Sequence, residues 1–164
     1  MTRKLSDEMA VSFPFTETDI GGTNSAGSSD TVHWVSMATF RSFLCLVELG
    51  TWNSSDDLDT CKLEQAQDAS GTGKKDLTTS GSGLNYNSDA PVDADGDQVI
   101  LECQADDLDV TNGYTHVRVY LAEGGNSGVD NVSAVYVRCG ARDAYSNLMV
   151  APVAGSKVYV SPNT

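Results

Sequence analysis

Four segments of the chain alternate apolar and polar side chains with a period of two: residues 60–67, 98–105, 114–121 and 132–139. That period sends successive side chains to opposite sides of an extended backbone, the pattern of a strand with one buried face. In 98–105, Val99, Leu101 and Cys103 share one face, with Ile100, Glu102 and Gln104 on the other. In 114–121, Val117, Val119 and Leu121 are predicted inward and His116, Arg118 and Tyr120 outward. Cys61 and Leu63 alternate with Lys62 and Glu64, and Val135, Val137 and Cys139 with Ala134, Tyr136 and Arg138. No stretch carries the 3.6-residue apolar repeat of a long amphipathic helix.

The most apolar stretch, residues 40–52, has no decisive period, since a buried strand and a short helix look alike there. Its β-forming residues and the Gly/Asn/Ser/Asp turn that closes it favour a strand. Weaker strand patterns occupy 9–16, around Phe13, Pro14 and Phe15, and 32–38. A last pair, 148–153 and 157–160, is split by Ala154-Gly155-Ser156. About eight strands joined by turns predict an all-β fold, an antiparallel β-sandwich with a jelly-roll-like closure.

A chain of 164 residues supports one domain with one core. Residues 19–30 are rich in Gly, Ser and Asn and offer nothing to bury, which predicts an extended N-terminal arm over 1–30 and a β-sandwich body over 31–164. Residues 68–98 form a second polar excursion, of a length that in a compact domain is usually functional or ordered by a partner.

Ten Lys and Arg against 23 Asp and Glu leave a net charge of −13. The bases are scattered, so no positive stripe exists to displace counterions from nucleic acid or to hold an anionic membrane. No apolar run reaches membrane-spanning length and the first residues lack a signal-peptide pattern, which predicts synthesis and maturation in a cytoplasm. Cys45, Cys61, Cys103 and Cys139 stand far apart in apolar or alternating runs, without the short knuckle of a zinc site. They are expected to be core thiols, with paired disulfides as the alternative.

Motifs that suggest chemistry fall short of it. Asp68-Ala69-Ser70-Gly71-Thr72-Gly73-Lys74-Lys75 echoes a phosphate loop, but Asp68 stands where the first Gly belongs and Lys75 where a Ser or Thr should follow the Lys. A polar hairpin loop is expected there. Asp93-Ala94-Asp95-Gly96-Asp97 resembles the start of a calcium loop, with its Gly and Glu102 out of place, and is expected to be an acidic turn. Asp56-Asp57-Leu58-Asp59 and Asp106-Asp107-Leu108-Asp109 read as turn carboxylates, and Asn112-Gly113 as a tight-turn signal. Gly125-Asn126-Ser127-Gly128 lacks the pattern of a nucleophilic serine, and His33 and His116 read as strand residues. No catalytic residue, metal ligand or cofactor site is expected, and the chain is read as non-enzymatic.

A stretch of residues 62–75 after an apolar strand, then 99–109, then 113–119, resembles in its order small virion proteins of tailed bacteriophages, similar to capsid decoration (cement) proteins. The likeness spans about residues 32–140. It implies a non-enzymatic virion structural protein that binds the outer surface of an assembled capsid and reinforces it. Its implied partners are the major capsid protein and neighbouring copies of itself, with no nucleic acid and no membrane, and its place is the virion. The 68–98 loop and the 2–30 arm are the expected contact segments. The alternative is a tail or fibre β-module binding a host receptor, for which aromatic-lined clefts around Trp34 or Trp52 would be the mark.

Overall fold

The computed structural model describes residues 8–20, 25–26, 33–53, 57–79, 82–83, 85–86, 92–123 and 128–141. They form a sandwich of two antiparallel sheets. The first sheet orders its strands β1 (Met9–Asp19), β12 (Asn131–Cys139), β4 (Ser42–Leu49) and β10 (Gln98–Gln104). The second orders β2 (Ser25–Ala26), β11 (His116–Ala122), β5 (Thr60–Ala66) and β6 (Lys75–Asp76), with β3 (Val35–Ser36) on β11 and β9 (Asn85–Tyr86) on β5. A separate two-residue ladder joins β7 (Thr78–Thr79) and β8 (Ser82–Gly83). Among the described residues there is no α-helix, only 3-10 turns at Ala105–Asp107 and Val110–Asn112. The expected all-β sandwich is therefore the observed one. The strand orders go no further toward a jelly-roll closure.

The alternating segments become the long strands because one face of each must leave water. Cys45, Val47 and Leu49 of β4, Val99, Leu101 and Cys103 of β10, and Val117, Val119 and Leu121 of β11 are all buried. Each large apolar side chain so buried contributes about 1.5–3 kcal/mol. Residues 40–52 settle as strand, since β4 pairs on both sides, with β12 and with β10. On β12 the buried face is Val132, Ala134, Tyr136 and Arg138, leaving Val135, Val137 and Cys139 half-buried on the outer face. The 68–98 excursion is partly stitched along the free edge of β5, through β6 at Glu64 and Gln65 and β9 at Cys61 and Lys62. Leu77 anchors it, buried, with its N–H donating to the Leu63 carbonyl at 2.9 Å.

Tyr136 ties the sheets together. On one side of β11, β3 pairs with residues 116 and 117 and β2 with 121 and 122, and among the described residues no strand pairs with the middle of that edge. A buried amide needs an acceptor. The Val119 N–H finds it in the Tyr136 hydroxyl, reaching over from the first sheet at 2.7 Å.

Three expectations change. The arm predicted over 1–30 includes β1, which pairs with β12 from Met9↔Cys139 to Asp19↔Asn131 across two register shifts. Ala10, Phe15 and Ile20 lie in the core, so residues 9–20 belong to the body. The polar loop after them obscured a strand that needs only a few inward apolar residues at a sheet edge. Arg118, predicted outward, does leave the sandwich interior, but it is fully buried. Of the segment predicted over 32–38, only Val35–Ser36 is strand. The strands expected at 148–153 and 157–160 lie outside the described residues.

Candidate functional site

The motifs with a hint of chemistry are occupied by their own side chains. In the 67–75 turn, the Asp68 carboxylate accepts the Ser70 N–H at 2.8 Å and the Thr72 N–H at 3.1 Å. A phosphate would need such amides, and here an internal anion has them. Bonds from Thr72, side chain first and then backbone, hold the Asp68 carboxyl below its usual range. Gly71 and Gly73 take left-handed conformations that let the backbone fold this tightly, and the Tyr114 hydroxyl donates to the Gly73 carbonyl at 2.6 Å. Lys75, which stands at the motif's last position, pairs with Asp109 at 2.6 Å and lies 4.3 Å from the centre of the Tyr114 ring.

The 93–97 turn is likewise self-contained. Asp97 accepts the N–H groups of Asp93 and Ala94, both at 3.3 Å, while Asp95 accepts the Trp52 N–H at 2.7 Å. In the 106–109 cluster, Asp107 accepts the Gln104 N–H at 2.7 Å and Asp109 holds Lys75 and Asn112. Asn112-Gly113 closes a 3-10 turn, with Gly113 left-handed, instead of joining two strands. Leu58 of the 56–59 cluster is buried, Asp57 and Asp59 exposed, and Asp56 lies outside the described residues, as do residues 125–127. Among the described residues no three His, Cys, Asp or Glu side chains come together to hold a metal ion.

The histidines are placed apart from one another. His33 is half-buried with its ring 4.5 Å from that of Phe15, in the left-handed region at φ 67°. Burial and then the nearby Arg118 charge lower its pKa from the ordinary 6.5. His116 pairs across the ladder with Ser36 and Ala66, and burial lowers its pKa as well. The four cysteines are free, with Cys45, Cys61 and Cys103 buried. Burial pushes the Cys61 and Cys103 thiols up to about 12, and raises Cys45 as well. Such thiols are poor nucleophiles.

Two surface features remain. The first is a strongly acidic end of the sandwich. The described residues of three connections, 50–53 with 57–59, 92–97, and 123 with 128–130, lie there, beyond the ends of β4 and β11 and the starts of β5, β10 and β12. Their sequence contains no Lys or Arg, yet it supplies Asp57, Asp59, Asp93, Asp95, Asp97, Glu123 and Asp130, joined by Asp19 from the end of β1. Asp130 is fully buried, accepts the Asn53 N–H at 2.8 Å through one carboxylate oxygen, and donates its own N–H to Asp19 at 3.2 Å. These bonds fix the loops to one another. Asp19 of the first expected contact segment and residues 92–97 of the second lie at this same end.

The second feature, which the alternation pattern missed, is a charged network on the outward side of the second sheet. The Arg118 Nε and Nη2 both approach Glu64 Oε2, at 2.9 and 2.7 Å. The guanidinium lies 4.5 Å from the Trp34 ring centre, while Lys62 reaches Asp76 at 2.6 Å. Arg118 and Glu64 are cross-strand partners, so opposite charges at paired positions next to a tryptophan segment were the available signal. A described cavity of about 50 Å³ beside Met37, Leu108 and Tyr114 is too small for a substrate.

No family model, curated protein or solved structure matches the chain.

Proposed function

We propose that this chain is a non-enzymatic virion structural protein that binds the outer surface of an assembled tailed-phage capsid and reinforces it. The observation that carries the reading is the acidic end: loops bonded to one another expose Asp19, Asp57, Asp59 and Asp95 and hold no base in their sequence. Fixed loops of one sign recognise a complementary basic surface through electrostatic steering, and they repel DNA and anionic lipid. The candidate motifs for chemistry spend their polar groups on internal bonds, which suits a protein whose work is contact. Trp34 and Trp52, the aromatic residues that a receptor-binding module would present, are both buried. That favours decoration over the tail or fibre alternative. Each copy needs only a small interface, because many copies on one shell and contacts between neighbours add up.

Co-sedimentation with capsids lacking the protein is the test. The chain should pellet with assembled capsids and not with free coat subunits. Asp57→Asn together with Asp95→Asn should weaken pelleting several-fold, and more salt should do the same. Full-length protein that stays in the supernatant at low salt would dismiss decoration.

A further inference from the structure

The first sheet ends on one side in β10, and the backbone groups along that edge face outward in a definite order. The Leu49 N–H donates to the Asp97 carbonyl at 2.9 Å and the Ala105 N–H to the Arg41 carbonyl at 2.8 Å, both in the register that pairs β10 with β4. Bonded and non-bonded positions alternate along an antiparallel ladder. Val99, Leu101 and Cys103 therefore spend their N–H and C=O groups on β4, while Gln98, Ile100, Glu102 and Gln104 turn theirs to the outer edge. Among the described residues no strand pairs with that edge. Elsewhere short strands flank β11 and β5, and β1 carries Pro14 and two register shifts. In contrast, β10 runs 7 residues along β4 without a shift and holds no Pro, Lys or Arg. A long, regular edge without such guards templates pairing with another strand.

We propose that the partner at this edge is β10 of a second copy, running antiparallel about a two-fold axis at Ile100. The register follows from which groups are free. Only pairings that set even-numbered residues against even-numbered ones match the outward groups of both copies. With Ile100 opposite itself, Gln98 of each copy faces Glu102 of the other, and every pair exchanges both of its bonds. An axis at Leu101 would need the Gln104 N–H, which already donates to Asp107 at 2.7 Å, and would set Ile100 against Glu102. An axis at Val99 would set Glu102 against Gly96, whose N–H is spent on the Leu49 carbonyl. An axis at Glu102 would put like charges opposite each other. The Ile100 register avoids all three faults and gives each Glu102 carboxylate an amide neighbour. It also covers Ile100, the most exposed large apolar side chain among the described residues at 62%, with its own copy. The outer row Val135, Leu46 and Ile100 then continues unbroken into the second chain. Chains of net −13 repel one another at long range, and salt screens that repulsion.

Sedimentation velocity of the purified chain over a concentration series reads this equilibrium. A ladder so short buries less than the about 1,200 Å² of a stable dimer, so association should fall in the micromolar-to-millimolar range and tighten with added salt. Salt acts the opposite way on capsid docking, and no capsid is present, so failure of either reading leaves the other standing. Ile100→Pro should leave a monomer at every concentration, because it removes the N–H at the axis while no bond to β4 is lost. Ile100→Lys sets like charges on the axis at an exposed position and should do the same, which keeps the test sound where the proline variant folds poorly. Gln98→Lys should tighten the dimer about fivefold and Gln98→Glu weaken it about as much, since position 98 meets Glu102 at both ends of the ladder. The same charges placed at exposed Ser70, in the 67–75 turn of the other sheet, should move it far less. A chain that stays monomeric up to about 1 mM in moderate salt would overturn the proposal. So would a dimer that both Ile100 variants leave intact, or one that Gln98→Lys and Ser70→Lys tighten equally.

Discussion

On the outward side of the second sheet, Arg118 and Glu64 sit opposite one another and are buried; on the outward side of the first, Leu46 and Ile100 sit opposite one another, and Ile100 is open to solvent. Alternation puts both pairs on the outer side without separating them, and residue type alone would read the charge as exposed and the large aliphatic as buried. What differs is the cover. The segment carrying Trp34 lies against the Arg118 guanidinium, and β6 brings Asp76 to Lys62. The described residues lay no comparable segment over Ile100. A strand's period decides which side a residue faces, while its burial depends on where the connections run.

The largest effect that separates the two faces should come from Arg118→Met. It leaves the buried Glu64 carboxylate with Lys62, at 3.7 Å, as its remaining ion-pair partner, and losing one partner of such a buried pair costs up to about 3–5 kcal/mol. Ile100→Thr, on the other face, should change stability by less than about 0.5 kcal/mol where the position is exposed. Urea unfolding of the two variants measures both. The double variant Arg118→Met with Glu64→Leu should regain most of the loss, because it also removes the buried carboxylate, while Lys62 keeps Asp76. Comparable losses in Arg118→Met and Ile100→Thr would erase the distinction between the faces.

This contrast also shows what was legible in the sequence. The inward sides of β10 and β11 followed from alternation, because burial between two sheets leaves little choice of side chain. The membership of β1 did not follow. Its inward residues Ala10 and Phe15 are few and separated by irregular pairing, so the period fades where the strand bulges. The burial of Arg118 was hidden too, since it depends on Trp34, 84 positions earlier in the chain. The acidic end was visible only as separate clusters. Topology brings Asp19, Asp95 and Asp130 to one end, and no local pattern encodes that.

Between the two faces lies the shared interior, and Tyr136→Phe calibrates it. The substitution keeps the ring packed edge-on to Phe43 at 4.9 Å and removes the hydroxyl that accepts the Val119 N–H. A buried amide left without its acceptor costs about 1–3 kcal/mol, which places this variant below Arg118→Met and above Ile100→Thr. Hydrogen exchange at the Val119 amide should accelerate more than at Leu63 on the neighbouring strand. An unchanged Val119 rate would mean that the sheets are held together without this bond.

The smallest expected effect is a pH dependence belonging to the second sheet's side of the molecule. Burial and then Arg118 hold the folded-state pKa of His33 below 6.5, and burial does the same for His116 against the opposing pull of Asp68. The unfolded chain therefore takes up these protons first as pH falls. Stability from the two histidines is whole above 6.5 and declines as pH drops from there toward the folded values. A lowered carboxylate acts in a separate window. For Asp68 and Asp109 the contribution is present above the ordinary 3.8 and is lost only as pH falls through their depressed values. The urea midpoint should thus slip gently between pH 7.5 and about 5.5, before the carboxylates enter. His33→Gln should flatten part of that slope, and Arg118→Met should raise the His33 pKa measured by NMR titration, since it removes the positive neighbour. A His33 titration that ignores Arg118→Met would show that the guanidinium field does not reach the ring.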